Sequence, residues 1–579
     1  MDTDDGGTCM TQGINSTSHG AWRSALDAAL RGADERRVMT RHYADGLTLD
    51  ALQPHSTRDR GHPGQGDLRR GSHAESEAWL IGQIWQVDGN ADRLEVLKAE
   101  MAAGTQAWQL QQSCPQDSEL ASTISAIGSQ AAIDLCGDAD FATRVFTHNS
   151  ETCVNANIDP FATALSTGKP VDEKALLSTV EPLMDTVLGN TLGHRVVACH
   201  GARYHASGAS EALELALMFS TFVAWLRAFD SASVSIEDCA RLTVMRPAVG
   251  RDLVLNVAKL RALRAGLAAI CTHCGDADAA RHVRLHAQPA TREFSRTAPW
   301  VNTLRTTAAT VAAALGGAQT VFTRTHDDTD SIESRRLACN TQLILREESG
   351  LHQVQDPSGG ADQFEAMTDQ LLQRAWDRFT QLESDGGIAT AIGDGTVTAT
   401  LRTHADELLG AVRHRRQVLT GVNLYPDPEG ARNIEQSSTS SGPIACAPIT
   451  LSDPFDGLRA RVASPAPTVH LSSLSSTAAT GHRVAFCQNL LAAGGLVGTT
   501  DDSEGARVVI LCGGDGDYTA EVAERIRGLL QSGATRVYLA GTLEDAAAPL
   551  LASGAHSVIR AGLDAVDFLE DLHRHLGVS

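Results

Sequence analysis

The stretch "SEALELALMFSTFVAWLRAF", residues 210–229, limits the possible folds more than any other. It has the 3.6-residue rhythm of a helix, yet its apolar side chains run around the whole circumference, so it requires cover on nearly every side. Ser210 is placed to cap this helix, and Glu211 sits in the first turn, where the helix dipole favours a carboxylate. Upstream, across Gly201 and Gly208, "HRVVACH" (194–200) reads as a buried strand. A buried strand feeding a buried helix is the repeating unit of a parallel sheet with helices packed outside it.

The unit recurs. "DLVLNVAKLRALRAGLAAIC" places Leu260, Leu263, Leu267 and Ile270 on one helical stripe. "PWVNTLRTTAATVAAALGG" predicts a helix stopped at Gly316-Gly317, with "AQTVFT" as the next strand. Such units over residues 76–425 predict a (β/α)8 barrel. Residues 1–75 read as a partly disordered arm: 1–20 have nothing to bury, "AWRSALDAALRG" is a helix with Trp22, Leu26 and Leu30 on one face, and 54–75 is a Gly-, Pro-, His- and Arg-rich loop. Residues 426–467, rich in Pro, Ser and Gly, read as a linker. Residues 468–579 alternate "TVHLS", "ARVVILC", "TRVYLAG" and "HSVIR" with helical runs, which predicts a doubly wound, flavodoxin-like α/β domain.

The formal charge of −22 argues against a nucleic-acid surface and against an anionic membrane as partner. The N-terminus "MDTDDGGTCMTQG" lacks the basic and apolar regions of a secretory signal, and no run of 18 apolar residues predicts a membrane span. The 12 scattered cysteines are therefore expected to be reduced thiols in a cytoplasmic protein.

Four motifs in order, "PWVNTLRTTAATVAAALGGAQTV", "ACNTQLILREESGLHQVQDPSGG", "AWDRFTQLESDGGIATAI" and "TGVNLY", resemble the C-terminal half of the barrel of the adenosylcobalamin-dependent acyl-CoA mutases, methylmalonyl-CoA mutase above all. The barrel–linker–flavodoxin order matches that resemblance. "HASGASEALELA" is similar to the helix start of the small, non-catalytic chain of the heterodimeric mutases. The resemblance implies an isomerase assembly of propionate metabolism. A large catalytic partner would bind adenosylcobalamin and acyl-CoA, and this chain would be a subunit without cofactor, metal or catalytic residues of its own. In the resembled family "NTQLILREESG" (340–350) lies on a barrel helix, so its buried amides are expected to find backbone partners. Two alternatives remain: a catalytic barrel served by a separate cobalamin carrier, or a protein that docks on a mutase without being a stoichiometric subunit.

The absence of catalytic signatures underlies this reading. Catalytic chains of the resembled family carry D-x-H-x-x-G, whose His is the lower axial cobalt ligand; here "VHLSSLSSTAATGHRVAF" offers Ser472, Ser473, Ser475 and Ser476 instead. His482 has no acidic residue two positions before it, and Asp571-Leu572-His573 with Gly577 is one residue too long and lies in the last helix. In the barrel, Ala202 and Arg203 stand where the family's Tyr-His pair is expected, while Tyr204-His205 comes two residues late. Three weaker signals are read as structural. Cys271, Cys274, His282 and His286 have a spacer too short for a zinc finger. "GGDGDY" (513–518) lacks a phosphate-loop Lys and carries two Asp, so it reads as a turn. "RHRRQ" (413–417) and the arginines at 58–70 read as solvated.

Overall fold

A computed structural model describes residues 16–53, 60–86, 91–111, 117–129, 131–136, 139–147, 152–188, 193–329, 331–427, 446–501, 505–543 and 546–578. The first 15 residues, where disorder is expected, lie outside the described set; the first helix is Ser16–Leu30, so it starts inside the stretch expected to be disordered.

Eight parallel strands form a closed barrel: β1 (Leu80–Gln86), β2 (Ala107–Gln111), β3 (Ala132–Cys136), β4 (Cys153–Ile158), β5 (Arg195–Cys199), β6 (Thr243–Met245), β7 (Arg284–Pro289) and β8 (Thr320–Thr323). Each pairs with the next, and β8 closes on β1 with Val321 opposite Ile81 and Phe322 opposite Gly82. This is the predicted (β/α)8 architecture.

The helix Glu211–Ser231 is covered as its composition demands. Ser210 caps it by accepting from the Leu213 N–H. Of the described helices it alone is long and apolar enough to cross a membrane, but most of it is buried in the barrel's outer ring. It packs against Leu253–Cys274 and Asp362–Ser384. Phe219 meets Trp376 and Phe379 at 6.4 and 5.9 Å between ring centroids, and a Cβ on Gly266 would overlap the Phe219 ring. The fully buried pair Lys259–Glu214, at 2.9 Å, ties two of these helices together, and Glu214 also accepts from the Ala248 N–H.

"NTQLILREESG" lies against the seam where the barrel closes. The helix Ile332–Leu343 runs into a single π-helical turn, Ile344–Glu348. Gln342 is fully buried; its Nε2 donates to the Gly82 carbonyl of β1, the Val321 carbonyl of β8 and Thr323 Oγ1, while its Oε1 accepts from Trp79 Nε1. The amide thus stitches the first strand to the last. Only one of the two amides is buried, because Asn340 is exposed.

The Arg-rich arm is not a solvated loop. Arg69 is buried against Asp67, Glu365 and Asp369, Arg60 pairs with Asp369, and Arg70 with Asp356. Arg261 reaches the same Asp356 and Glu365 from the barrel helix Leu253–Cys274. The surplus of arginine in the arm is matched by carboxylates nearly 300 residues downstream, which composition alone does not reveal. The first part of the loop, 54–59, lies outside the described residues.

The second sheet contains β9 (Thr468–Ser473), β10 (Val497–Thr499), β11 (Val508–Cys512), β12 (Arg536–Ala540) and β13 (Ser557–Ile559). They are all parallel in the order β10-β9-β11-β12-β13, the 2-1-3-4-5 order of flavodoxin-like folds. "RHRRQ" docks this sheet onto the barrel and is not its solvated face: Arg413 pairs with Asp564 and Asp567, and Arg415 stacks on Phe486 at 4.8 Å. Val412, Leu419 and Val422 enter the second core, as do Phe455 and Leu458 of the helix Asp453–Ala460. Residues 428–445 of the predicted linker lie outside the described residues.

Two stability outcomes follow. Asp356→Ala leaves Arg261 with Glu365 as its one carboxylate and takes away the carboxylate that Arg70 pairs with, and is expected to cost about 3 kcal/mol. Gln342→Leu leaves the buried Trp79 N–H without its acceptor and removes the amide's bonds across the seam, and is expected to cost about 1–3 kcal/mol. Urea unfolding of each variant measures both.

Candidate functional site

The carboxyl ends of the barrel strands surround a cavity of about 860 Å3, at the end of the fold where (β/α)8 barrels place their sites. Its wall includes Gln83, Gln109, His200, Gln288 and Arg335. β5 ends at Cys199 and the chain turns into the short helix Gly201–Ala206, which leaves His200 at the mouth. The His200 backbone N–H donates to Asp159 Oδ2 at 2.7 Å, and Asp159 also caps the helix Pro160–Thr167. The imidazole is buried, and neither ring nitrogen has a hydrogen-bond partner among the described residues. Burial, with Arg246 and Arg203 nearby, holds its pKa well below the ordinary histidine value, so the ring is neutral. Gln288 Nε2 is likewise buried, with no partner among the described residues. At the edge of the cavity Arg335 forks onto Glu100 at 2.6 and 2.8 Å and stacks over Trp85 at 4.7 Å.

Beneath this cavity, side chains span the barrel interior. The fully buried Arg246 donates to the Leu135 carbonyl at 3.1 Å and to Gln109 Oε1 at 2.5 Å. Asp134, also fully buried, accepts from His286 Nδ1 at 2.9 Å and Asn157 Nδ2 at 2.8 Å. Burial pushes the Asp134 carboxyl up, but His286 and Arg246 outweigh it and hold the group below the usual carboxylate range.

Tyr204 and His205 do not line this cavity. They pack behind the short helix, with the Tyr204 hydroxyl 3.4 Å from Thr221 Oγ1 and His205 Nε2 3.5 Å from Glu211. Arg203, by contrast, does line the cavity, and it has no carboxylate partner among the described residues.

The C-terminal edge of the second sheet is latched by its own side chains. Asp517 accepts from the Gly514 N–H and Ser475 Oγ, both at 2.6 Å, and these bonds hold its carboxyl below the usual range. The Tyr518 hydroxyl donates to the Ala540 carbonyl at 2.6 Å, and Ser472 accepts from Arg525 at 2.6 Å. "GGDGDY" is thus a closed turn. His482 is exposed on the helix Ala478–Ala493. His573 Nε2 bonds the Gly494 carbonyl at 2.9 Å, whereas Asp571 pairs with Arg536, so the two residues serve different partners. Of the cysteine–histidine set, His282 faces Glu237 at 3.3 Å and His286 faces Asp134 inside the barrel. Among the described residues no group of three or more His, Cys, Asp or Glu is arranged to hold a metal.

His200 and Gln288 escaped the sequence reading. The signal available was position: His200 directly follows a barrel strand, where side chains face the mouth.

A closed parallel barrel with a polar cavity at its strand ends, joined to a 2-1-3-4-5 sheet, defines a two-part α/β chain, a (β/α)8 barrel followed by a flavodoxin-like domain. The profile of the family described as methylmalonyl-CoA mutase matches residues 173–478, over half of the sequence, and the chain belongs to that family. A relative from Mycobacterium tuberculosis (strain ATCC 25618 / H37Rv), named probable methylmalonyl-CoA mutase small subunit, is 29% identical over 96% of this chain and 97% of its own length. The methylmalonyl-CoA mutase small subunit of Streptomyces virginiae is 32% identical over 67% of this chain and 65% of its own. That of Propionibacterium freudenreichii subsp. shermanii is 29% identical over 74% and 70% respectively.

The buried imidazoles give a pH dependence. Burial and Arg292 push His205 down to about 3, from an ordinary value near 6.5. Below 6.5 the unfolded chain takes up a proton that the native ring refuses, so stability falls as the pH drops from 6.5 toward 3 and is flat above that window for this group. Imidazole NMR is expected to show His200 and His205 untitrated at pH values where exposed histidines have already protonated.

Proposed function

We propose that this chain is the small, non-catalytic subunit of a heterodimeric methylmalonyl-CoA mutase, the assembly that interconverts (R)-methylmalonyl-CoA and succinyl-CoA. The large partner holds adenosylcobalamin and the acyl-CoA. In this reading residues 76–425 are a supporting barrel, 468–579 a degenerate cofactor-type domain, 1–75 an arm and 426–467 the connection between the two domains.

The observation that carries the proposal is the latched edge of the second sheet. A ligand of a doubly wound domain sits outside the carboxyl ends of its strands. Here Asp517 occupies the Gly514 N–H and the Ser475 hydroxyl at that edge, and Tyr518 ties β12 to the same turn. Neither of the two histidines nearest to the axial-ligand pattern is placed for a corrin: His573 is committed to Gly494, and His482 lies out on the helix surface. The names of the relatives agree with a small subunit.

Expression with and without a large paralogue tests this. The chain alone is expected to show no mutase turnover with added adenosylcobalamin, and the pair to purify as an active one-to-one complex. Turnover by the chain alone, or with an isolated cobalamin-carrier protein, would establish the catalytic alternative in its place.

A further inference from the structure

The barrel has a second cavity, at its other end. About 420 Å3 in volume, it is ringed by the first residues of several strands, Arg195 of β5 and Arg284 of β7 among them. Arg264, from the helix Leu253–Cys274, joins them in its wall. What sets this cavity apart is how these three guanidinium groups are satisfied.

Arg195 spends only Nη1, on the carbonyls of Arg241 at 2.7 Å and of Thr243 and His282 at 3.0 Å. Its Nε and Nη2 have no partner among the described residues. Arg264 is buried; it donates to the carbonyls of Gly316 and Gly317, and its Nε has no partner among the described residues. Neither Arg195 nor Arg264 has a carboxylate within ion-pair distance among the described residues. Arg284 has only Glu77 at 3.9 Å, and that carboxylate is on the exposed rim. Asp356, the one buried acid of the wall, is already shared by Arg261 and Arg70.

A cation buried against carbonyl oxygens alone keeps most of its desolvation cost, and a compact anion in the adjoining space would offset it. Burial and the neighbouring Arg284 push Arg195 down to about 9, and burial, offset only in part by Asp356, pushes Arg264 down to about 10, in keeping with cations whose desolvation is incompletely compensated. Guanidinium groups match the oxygens of a tetrahedral oxyanion in geometry as well as charge. His286, paired with Asp134, lies in its wall, whereas Gln109, which bonds Arg246, lines the mouth cavity. Its rim is the arm segment after Ser72, held down by Arg281, which donates to the Gly64 and Ser72 carbonyls at 2.7 and 3.0 Å.

We propose that this lower cavity binds a compact oxyanion, either inorganic phosphate or the terminal phosphate monoester of a larger molecule, through Arg195, Arg264 and Arg284. The site is separate from the mouth cavity and does not depend on whether the chain is catalytic.

Titration calorimetry of the full chain tests the site, with inorganic phosphate and O-phosphoethanolamine as probes and chloride at matched ionic strength as the reference. Saturable phosphate binding that chloride does not reproduce is expected. Arg284→Gln, at a half-exposed position, is expected to weaken it about tenfold or more. Arg264→Gln provides a second readout, with circular dichroism to confirm the fold of both variants. Tighter binding of O-phosphoethanolamine assigns the site to a monoester terminus; equal or weaker binding assigns it to free phosphate. Heat indistinguishable from chloride, or saturable binding unchanged in both variants, would overturn the proposal.

Discussion

Four guanidinium groups, Arg60, Arg69, Arg70 and Arg261, meet four carboxylates, Asp67, Asp356, Glu365 and Asp369, beneath the barrel. The rest of the architecture is referred to this cluster. It joins the arm, the barrel helix Leu253–Cys274, the "QDPSGG" loop and the helix Asp362–Ser384. None of the central charges could be buried without its partners, so these segments must dock together or not at all. The net contribution of such a cluster to stability is small, but it sets their register. Asp356 takes a left-handed backbone, φ 47°, in a loop where Ser358 and two arginines converge on its side chain.

With the outer elements fixed in this way, closing the barrel is a local problem, and Gln342 addresses it. One buried amide satisfies carbonyls on both sides of the β8–β1 seam and takes the Trp79 indole N–H. That resolves the oddity of an amide set beside Leu343, Ile344 and Leu345: the polar group faces the strands, while Ile344 on the following π turn is exposed. The barrel interior is polar for a related reason. His286 and Asn157 bond Asp134, and Arg246 bonds Gln109, so two sets of side-chain bonds bridge strands across the lumen.

Periodicity and punctuation made much of this legible. The Ser210 cap, the covered helix behind it, the barrel and the flavodoxin-like class of the second domain all follow from patterns within about 20 residues. What was missed depends on distant partners. The arm's arginines looked solvated because the acids that bury them are far off: Arg70 and Asp356 are separated by 286 residues. Arg413 looked like surface because Asp564 is 151 residues away. The strand Val497–Thr499 is too short to show a period. His200 and Gln288 come from β5 and β7, on different parts of the wall, and only the closed barrel brings them to one cavity.

The proposed role, a subunit whose work is support with the radical chemistry left to a partner, rests on the latched Asp517 turn and on the small-subunit names of the relatives. The most direct measurement is the corrin content of the purified mutase assembly, by cobalt analysis against subunit mass. One cobalt per pair of unlike chains is the result this account predicts. Two per pair, with the second lost on removing this chain's C-terminal domain, would contradict it.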